Sequence, residues 1–239
     1  MLVDSFGRAI DYLRISLTDR CNFRCFYCFP PTGVKLAPRS ELLSCEEIFR
    51  IARVAVELGI TKIKLTGGEP LVFRPIVELV EKLYALPGLA DLSLTTNGSL
   101  LTRLAQPLRN AGLARLNLSL DSLKPERFAQ ISRGGKLSEV LAGFERASQA
   151  GLSVKINTVL LKDWNTDEIF DFIRFAEENQ VEIRFIEFMP LCGQGWNRSL
   201  FISAAEIQKR LREHYQLQPR NSNGVARLFT TETGVRIGF

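Results

Sequence analysis

The sequence lacks the features of several common protein classes. No apolar run approaches the roughly 20 residues of a membrane-spanning helix, and the charged start, MLVDSFGRAIDYLR, is unlike a signal peptide. Lysine and arginine total 31 against 26 acidic residues, with no basic run or basic, aromatic-rich stripe of the kind that binds nucleic acid. The sequence therefore predicts a cytoplasmic protein that binds neither membrane nor nucleic acid.

Histidine is almost absent, and the few cysteines are unevenly placed. His214 is the single histidine, and three of the five cysteines, Cys21, Cys25 and Cys28, lie within eight residues. An odd number of cysteines without a signal peptide argues against a disulfide framework. The cluster therefore indicates metal or redox chemistry.

Strand and helix patterns alternate along the chain. The apolar periodicity predicts strands at 13–17, 60–65, 91–95, 115–120, 153–161 and 181–188. It predicts helices at 48–58, 75–86, 101–110, 125–131, 137–150, 166–179 and 203–215. Repeated β-then-α units favour an α/β fold with a parallel sheet and outer helices. Because a complete eight-unit barrel takes about 250 residues, we expect a partial (β/α)6 TIM-type barrel, with a doubly wound sheet as the alternative.

No linker rich in proline, glycine or serine divides the chain. We therefore expect one domain over residues 1–239, with a lead-in at 1–12, the partial barrel at 13–215 and a hairpin-like tail at 216–239. In either topology, functional residues lie at the C-terminal ends of the strands.

The cysteine loop follows the first predicted strand. Three thiolates can hold three irons of a [4Fe–4S] cluster, which usually takes four cysteines, and leave one iron open to a ligand with amine and carboxylate groups. Zinc would require a fourth ligand, and a thioredoxin-like Cys25-Phe-Tyr-Cys28 motif would leave Cys21 unexplained. Buried core thiols do not suit a loop with Asn22 and Arg24. We therefore favour the open-iron cluster.

Short motifs recur at the predicted strands. In chain order they read FGRAIDYLRISLTDRCNFRC, KLTGGEPL, LTTNG, LNLSLD, VKIN and IRFIEFMP. Together they resemble the radical S-adenosylmethionine (SAM) enzymes, and among these the GTP 3',8-cyclase family of molybdenum cofactor biosynthesis. The resemblance covers essentially all 239 residues. It implies a [4Fe–4S] cluster on Cys21, Cys25 and Cys28, with SAM as the second cofactor.

The resemblance also implies binding residues, which are not evident from the residues alone. Those for SAM are Tyr27, Gly68, Glu69, Ser119 and Met189, and those for GTP are Arg14, Lys64, Thr95 and Lys155. Arg184 is a further cationic candidate. Each of these residues also has an interpretation without a ligand: Gly68 and Glu69 can form a Gly-Gly-Glu-Pro turn, and the others can be core side chains or solvated cations. Lys64 keeps a positive charge where the family commonly has arginine, without its fork geometry.

The activity implied by the resemblance is that of a lyase. In the family, GTP becomes (8S)-3',8-cyclo-7,8-dihydroguanosine 5'-triphosphate after a 5'-deoxyadenosyl radical from SAM takes hydrogen from its ribose. The implied partners are GTP, a reductase or flavodoxin-type electron donor, and a second copy in a homodimer. No general acid or base is indicated.

A second iron–sulfur cluster also belongs to the family, on three further cysteines beyond the barrel. The sequence ends at Phe239, near the start of that segment, so we expect this cluster to be lacking. Two alternatives follow, namely a radical SAM enzyme with another substrate and a non-catalytic protein that binds the cluster and SAM.

Overall fold

The computed structural model describes residues 2–30, 33–190, 196–221 and 226–239. The chain divides into two compact units. The first consists of Met1–Asn22, Lys35–Asn117 and Glu139–Ser153, and the second of Phe23–Val34, Leu118–Ser138 and Val154–Phe239. The single domain expected over residues 1–239 stays a prediction.

The first unit contains three parallel strands. A short antiparallel hairpin, β1 (Leu2–Val3) with β2 (Ala9–Ile10), precedes them. The strands are β3 (Tyr12–Ser16), β4 (Lys62–Thr66) and β5 (Asp91–Thr96), paired in chain order. This order is typical of a barrel-type sheet, whereas a doubly wound sheet reverses its strand order. Ile63 and Leu65 are fully buried and alternate with the partly exposed Lys62 and Lys64, as the two-residue period of a strand requires.

Helices follow each of these strands. They are α1 (Cys45–Glu57), α2 (Ile76–Tyr84) and α3 (Leu101–Asn110). A capping box of Ser44 and Glu47, a pattern that the sequence also shows, begins α1: the Ser44 hydroxyl accepts from the Glu47 amide while the Glu47 carboxylate accepts from the Ser44 amide. The predicted helix at 101–110 is confirmed with the same bounds.

Two strands contain a boundary between the units along the chain, namely β6 (Arg115–Ser119) and β7 (Ser153–Leu160). Between them lie α4 (Pro125–Ser132) and α5 (Leu137–Gln149). The second unit continues with α6 (Ile169–Glu178), β8 (Glu182–Glu187) and α7 (Ala204–Arg212). The helix that was predicted at 166–179 begins as a short 3-10 helix, Thr166–Glu168, before α6.

The C-terminal segment extends the sheet of the second unit. Its strands are β9 (Gln218–Arg220), β10 (Leu228–Thr230) and β11 (Arg236–Gly238). β7 and β8 pair in parallel, β11 adds to β8 in parallel, and β10 pairs antiparallel with both β11 and β9. The predicted hairpin in this tail is confirmed, whereas β9 was not predicted.

The predicted α/β class with mostly parallel strands is confirmed. Each of the six predicted barrel strands has a counterpart within a few residues of its expected bounds. Within the described ranges, no helix combines the length and apolar character that crossing a membrane demands.

Candidate functional site

The loop after β4 packs against the segment that precedes the cysteine motif. The Gly68 amide donates to the Thr18 carbonyl at 2.6 Å, and the Glu69 amide donates to the Arg20 carbonyl at 2.8 Å. A Cβ on Gly67, whose φ is +143°, would lie 2.6 Å from the Thr18 oxygen. A Cβ on Gly68 would lie 2.2 Å from the Arg20 oxygen. Backbone packing alone therefore requires both glycines, whatever ligand also approaches them.

Glu69 links the ends of β4 and β5. Its Oε1 accepts from the Leu71 amide at 3.0 Å and from the Thr96 hydroxyl at 2.7 Å, and its Oε2 accepts from the Asn97 amide at 2.7 Å. Burial raises the pKa of this carboxyl, and the three hydrogen bonds offset only part of that rise. Among the described residues, three donors occupy this carboxylate, which has about four acceptor positions, so Oε2 has the capacity to accept one further hydrogen bond, for example from a ligand amine.

Asn97 lies beside Cys21 and was not singled out from the sequence. Its Nδ2 donates to the Asn22 Oδ1 at 2.9 Å and approaches the Cys21 Sγ at 3.9 Å with donor geometry. Its Oδ1 accepts from the Ser99 amide and hydroxyl at 3.0 and 2.7 Å. In the sequence, Asn97-Gly98 resembles an ordinary turn, and only its place at the end of β5 could have marked it.

The second half of the cysteine motif forms a tight turn. The amides of Cys28 and Phe29 both donate to the Cys25 carbonyl at 2.9 Å. None of the described cysteines, which include the distant Cys45, forms a disulfide. Cys192 lies outside the described residues. Partial removal from water raises the pKa of the Cys28 thiol, and the negative charge of Asp121 raises it further.

The end of α4 anchors this turn. The Arg24 amide donates to the Ser132 carbonyl, and the Phe26 amide donates to the Ile131 carbonyl, each at 3.0 Å. Two backbone hydrogen bonds to one helix end fix the course of the loop. The cysteine side chains of this segment therefore start from a defined backbone.

Tyr27 is held by a buried carboxylate. Its hydroxyl donates to Oδ2 of Asp121 at 2.6 Å, while the Val159 amide donates to Oδ1 at 2.9 Å. Burial raises the pKa of Asp121 to about 6. Burial also raises the pKa of Tyr27, and the charge of Asp121 adds to this rise. The tyrosine therefore keeps its proton at neutral pH and acts as the donor.

A mostly apolar cavity of about 140 Å³ lies next to this pair in the second unit. Its lining includes Tyr27 and Met189, which the family resemblance assigned to SAM, together with Cys28, Val159, Ile186, Glu187 and Phe188. Met189 is 56% exposed and follows β8. Ser119, the remaining residue of the second unit predicted to bind SAM, is the half-buried last residue of β6.

The residues predicted to bind GTP fall into two groups. In the first unit, the register places Arg14 beside Lys64, and Arg14 Nη2 donates to the Thr66 hydroxyl at 3.4 Å. Thr95 is half-buried near the end of β5. The sheet therefore brings Arg14 and Lys64 together, as the prediction of a shared pocket requires.

Lys155, in the second unit, is ion-paired. Its Nζ lies 2.9 Å from a carboxylate oxygen of Glu182, which also pairs with Arg184 at 2.7 Å. Burial alone would raise the pKa of Glu182, but its bonds and charge interactions with Lys155 and Arg184 outweigh burial and lower it. The three side chains together carry one net positive charge. Neither this carboxylate nor Asp121 was identified from the sequence.

Known proteins resemble this chain in sequence over most or all of its length. The profile of the radical SAM superfamily matches residues 15–176. A GTP 3',8-cyclase of Pseudomonas putida strain W619 is 48% identical, and the match covers all of this chain and 73% of that protein. The chain belongs to the GTP 3',8-cyclase family of radical SAM proteins. Radical SAM proteins use a [4Fe–4S] cluster and SAM.

Other relatives of this GTP 3',8-cyclase family member differ in length. Molybdenum cofactor biosynthesis protein 1 of Drosophila melanogaster is 50% identical over 214 residues, and the match covers 90% of this chain but only 38% of that protein. Among solved structures, Streptococcus suis SuiB bound to precursor peptide SuiA superposes with a TM-score of 0.73 at 18% identity, over 85% of this chain and 46% of that chain. This likeness confirms the fold.

The donor set fits the cofactor of the family. Cysteine thiolates are the ligands that iron–sulfur clusters take in proteins, and the three motif cysteines lie within eight residues. The Asn97 amide beside Cys21 adds a hydrogen-bond donor of the type that surrounds metal-bound sulfur.

Proposed function

We propose that this chain forms the catalytic core of a GTP 3',8-cyclase. The reaction converts GTP to (8S)-3',8-cyclo-7,8-dihydroguanosine 5'-triphosphate in molybdenum cofactor biosynthesis. The observation that carries the proposal is 48% identity across the whole chain to a GTP 3',8-cyclase, with an intact three-cysteine motif. A cytoplasmic location, a reductase or flavodoxin-type electron donor and a homodimer belong to the same proposal and rest on the family resemblance.

In this proposal, Cys21, Cys25 and Cys28 hold the cluster. When bound, the cluster supplies an electron to SAM. The protein contributes orientation and exclusion of water rather than acid–base chemistry. Tyr27 is suited to orient SAM because Asp121 fixes its ring at the wall of the apolar cavity.

Four further residues complete the proposed SAM site. Gly68 and Glu69 follow β4, and the open acceptor position on Glu69 suits the amino group of SAM. Met189 lines the same cavity as Tyr27. Ser119 ends β6, at the strand end where α/β proteins bind their ligands.

The triphosphate of GTP is assigned to the cationic residues. Arg14 and Lys64 are neighbours on β3 and β4 and bring two positive charges to one strand pair, which suits an anionic ligand. Thr95 offers a hydroxyl near the end of the next strand. Lys155 acts within its ion-paired group, so its contribution is weaker than that of an isolated cation.

Anaerobic reconstitution with iron and sulfide tests the proposal. We expect about four iron and four sulfide per chain, and 5'-deoxyadenosine from SAM under dithionite. Cys21→Ala, Cys25→Ala and Cys28→Ala should each abolish the cluster. The matched control, Cys45→Ala, should keep it. A stable cluster in Cys25→Ala would overturn the assignment of the ligands.

A second candidate is a radical SAM enzyme with a substrate other than GTP. The pairing of Lys155 with Glu182 favours it, because this pairing reduces the charge available to a triphosphate. Calorimetry separates the two candidates. GTP binding that Arg14→Ala weakens supports the cyclase, whereas SAM cleavage without any GTP binding supports the other substrate.

A further inference from the structure

We infer that Asn97 is a positioning residue that donates an N–H to the Cys21 sulfur and thereby raises the reduction potential of the cluster. The inference rests on the proposed function in one respect, namely that Cys21 is a cluster ligand. Every contact that supports it lies within the first unit.

The orientation of the Asn97 amide follows from its partners. Oxygen and nitrogen of an asparagine amide are distinguished by their hydrogen bonds. Two donors, the amide and the hydroxyl of Ser99, meet one end of the group at 3.0 and 2.7 Å, so this end is the oxygen. The NH2 group must therefore point the other way, toward Cys21 Sγ and the Asn22 Oδ1.

A closed ring of hydrogen bonds keeps the amide in place. Asn97 donates to the Asn22 oxygen at 2.9 Å, Asn22 donates to the Ser99 hydroxyl at 2.8 Å, and Ser99 donates back to Asn97 at 2.7 Å. The Asn97 backbone amide is also fixed, because it donates to buried Glu69 at 2.7 Å. One amide hydrogen is used within the ring, which leaves the second for the sulfur.

The direction of the effect follows from charge. A donor stabilises an anionic sulfur more strongly as negative charge on it grows, and reduction adds one electron to the cluster. Hydrogen bonds to the sulfurs are among the factors that set the potential of an iron–sulfur cluster. The N–H of Asn97 therefore stabilises the reduced state more than the oxidised state and makes reduction easier.

Asn97→Leu tests the inference, because leucine has a similar size and no donor. The midpoint potential of the reconstituted holoprotein is measured without SAM by a redox titration followed by electron paramagnetic resonance. We expect the equilibrium constant for reduction to fall by up to about tenfold, because only the part of the hydrogen bond that strengthens on reduction contributes to the potential. For one electron this limit is about 59 mV toward negative values. Asn97→Asp, which introduces a negative charge, should shift the potential further.

Resonance Raman spectroscopy gives a second readout. Loss of the N–H should strengthen the iron–thiolate bond and move its stretching band to higher frequency in Asn97→Leu. The matched control is Asn110→Leu, the same substitution at an exposed position of α3, where the side chain accepts from Gln106. The control should leave the potential and the band unchanged.

The outcomes separate the inference from the proposed function. A wild-type chain that takes up no cluster contradicts the proposed function. A cluster whose potential and Raman band are the same in wild type and Asn97→Leu overturns the inference alone. If Asn97→Leu fails to hold a cluster, Ser99→Ala decides, because it removes one donor that orients the amide and should shift the potential partway in the same direction. An unchanged potential in Ser99→Ala then overturns the inference.

Discussion

Asp121 is a buried carboxyl whose contribution to stability depends on pH. Its pKa of about 6 in the folded protein lies above the ordinary value of 3.8. Between these values the folded protein keeps a proton that the unfolded chain has released, so stability falls as pH rises from about 4 to 6. The shift corresponds to a change on the order of 3 kcal/mol.

Asp121→Asn should remove this pH dependence, because the amide has no charge to desolvate. We expect the free energy of unfolding of wild type, relative to that of Asp121→Asn, to fall between pH 4 and 6. Urea denaturation at a series of pH values measures this difference. Parallel curves for the two proteins would show that Asp121 does not titrate in this range.

Glu69 makes three hydrogen bonds as an acceptor, and an amide cannot reproduce all of them. In Glu69→Gln, the new NH2 group takes the place of either Oε1 or Oε2. In either position, a donor then faces a donor, because both oxygens now accept hydrogen bonds. We expect a loss of about 1–3 kcal/mol in the free energy of unfolding. Glu57→Gln is the control at the end of α1, where an exposed pair with Arg53 contributes less than about 1 kcal/mol. Equal losses in the two variants would contradict this account.

At the level of elements, the loop after β4 should be intolerant of any side chain at Gly68. Gly68→Ala would place a carbon 2.2 Å from the Arg20 carbonyl, so the backbone before the cysteine motif must move. We expect poor cluster uptake and a lower thermal midpoint. Gly7→Ala is the control, because the added carbon meets no atom within 4 Å and only backbone strain of about 1–2 kcal/mol is added. Normal cluster uptake by Gly68→Ala would show that the loop can rearrange.

The pairing of β7 with β8 places Lys155 opposite Glu182. Glu182→Gln removes the negative charge and raises the net charge of the group by one. If Lys155 lines the triphosphate pocket, GTP should bind several-fold more tightly, with a steeper dependence on salt. Calorimetry at two ionic strengths measures both. The control is Asp167→Asn, at an exposed carboxylate paired with Lys124, which should leave GTP binding unchanged.

Sequence patterns predicted long elements well and short ones poorly. The helix at 101–110 and the capping box of Ser44 and Glu47 have strong local signals. The two-residue strands of the N-terminal hairpin and the three residues of β9 have none, because their pairing depends on neighbouring chain rather than on periodicity. The carboxylate partner of Lys155 was missed for the same reason, since strand register is a tertiary property.

For the whole molecule, the cysteine spacing and the strand-end motifs predicted the family, and the comparisons confirm it. The groups that support the motifs were not predictable in this way. Asp121, Asn97 and Glu182 are common residue types in unremarked positions, and only the fold shows that they contact Tyr27, Cys21 and Lys155. Which residues bind SAM and GTP stays a prediction.

Ligand binding should stabilise the whole chain if the proposed SAM site is formed. SAM at about 100 times its dissociation constant should add about 2.7 kcal/mol to the stability of the cluster-loaded protein. For a chain of this size, this corresponds to a rise of about 5–10 °C in the thermal midpoint. Circular dichroism with and without SAM measures the change. Cys28→Ala serves as the control, and an equal rise in that variant would contradict binding at the cluster.

The hydrogen-bonded ring of Asn97, Asn22 and Ser99 also bears on the speed of electron transfer. A polar group that must rotate when an electron arrives adds a reorganisation energy, which slows the transfer. The Asn97 amide is held through its oxygen, its nitrogen and its backbone, so it is already oriented before the charge changes. If Cys21 holds the cluster as proposed, an amide fixed in this way lowers the reorganisation energy of its reduction and favours rapid electron transfer even when the driving force is small.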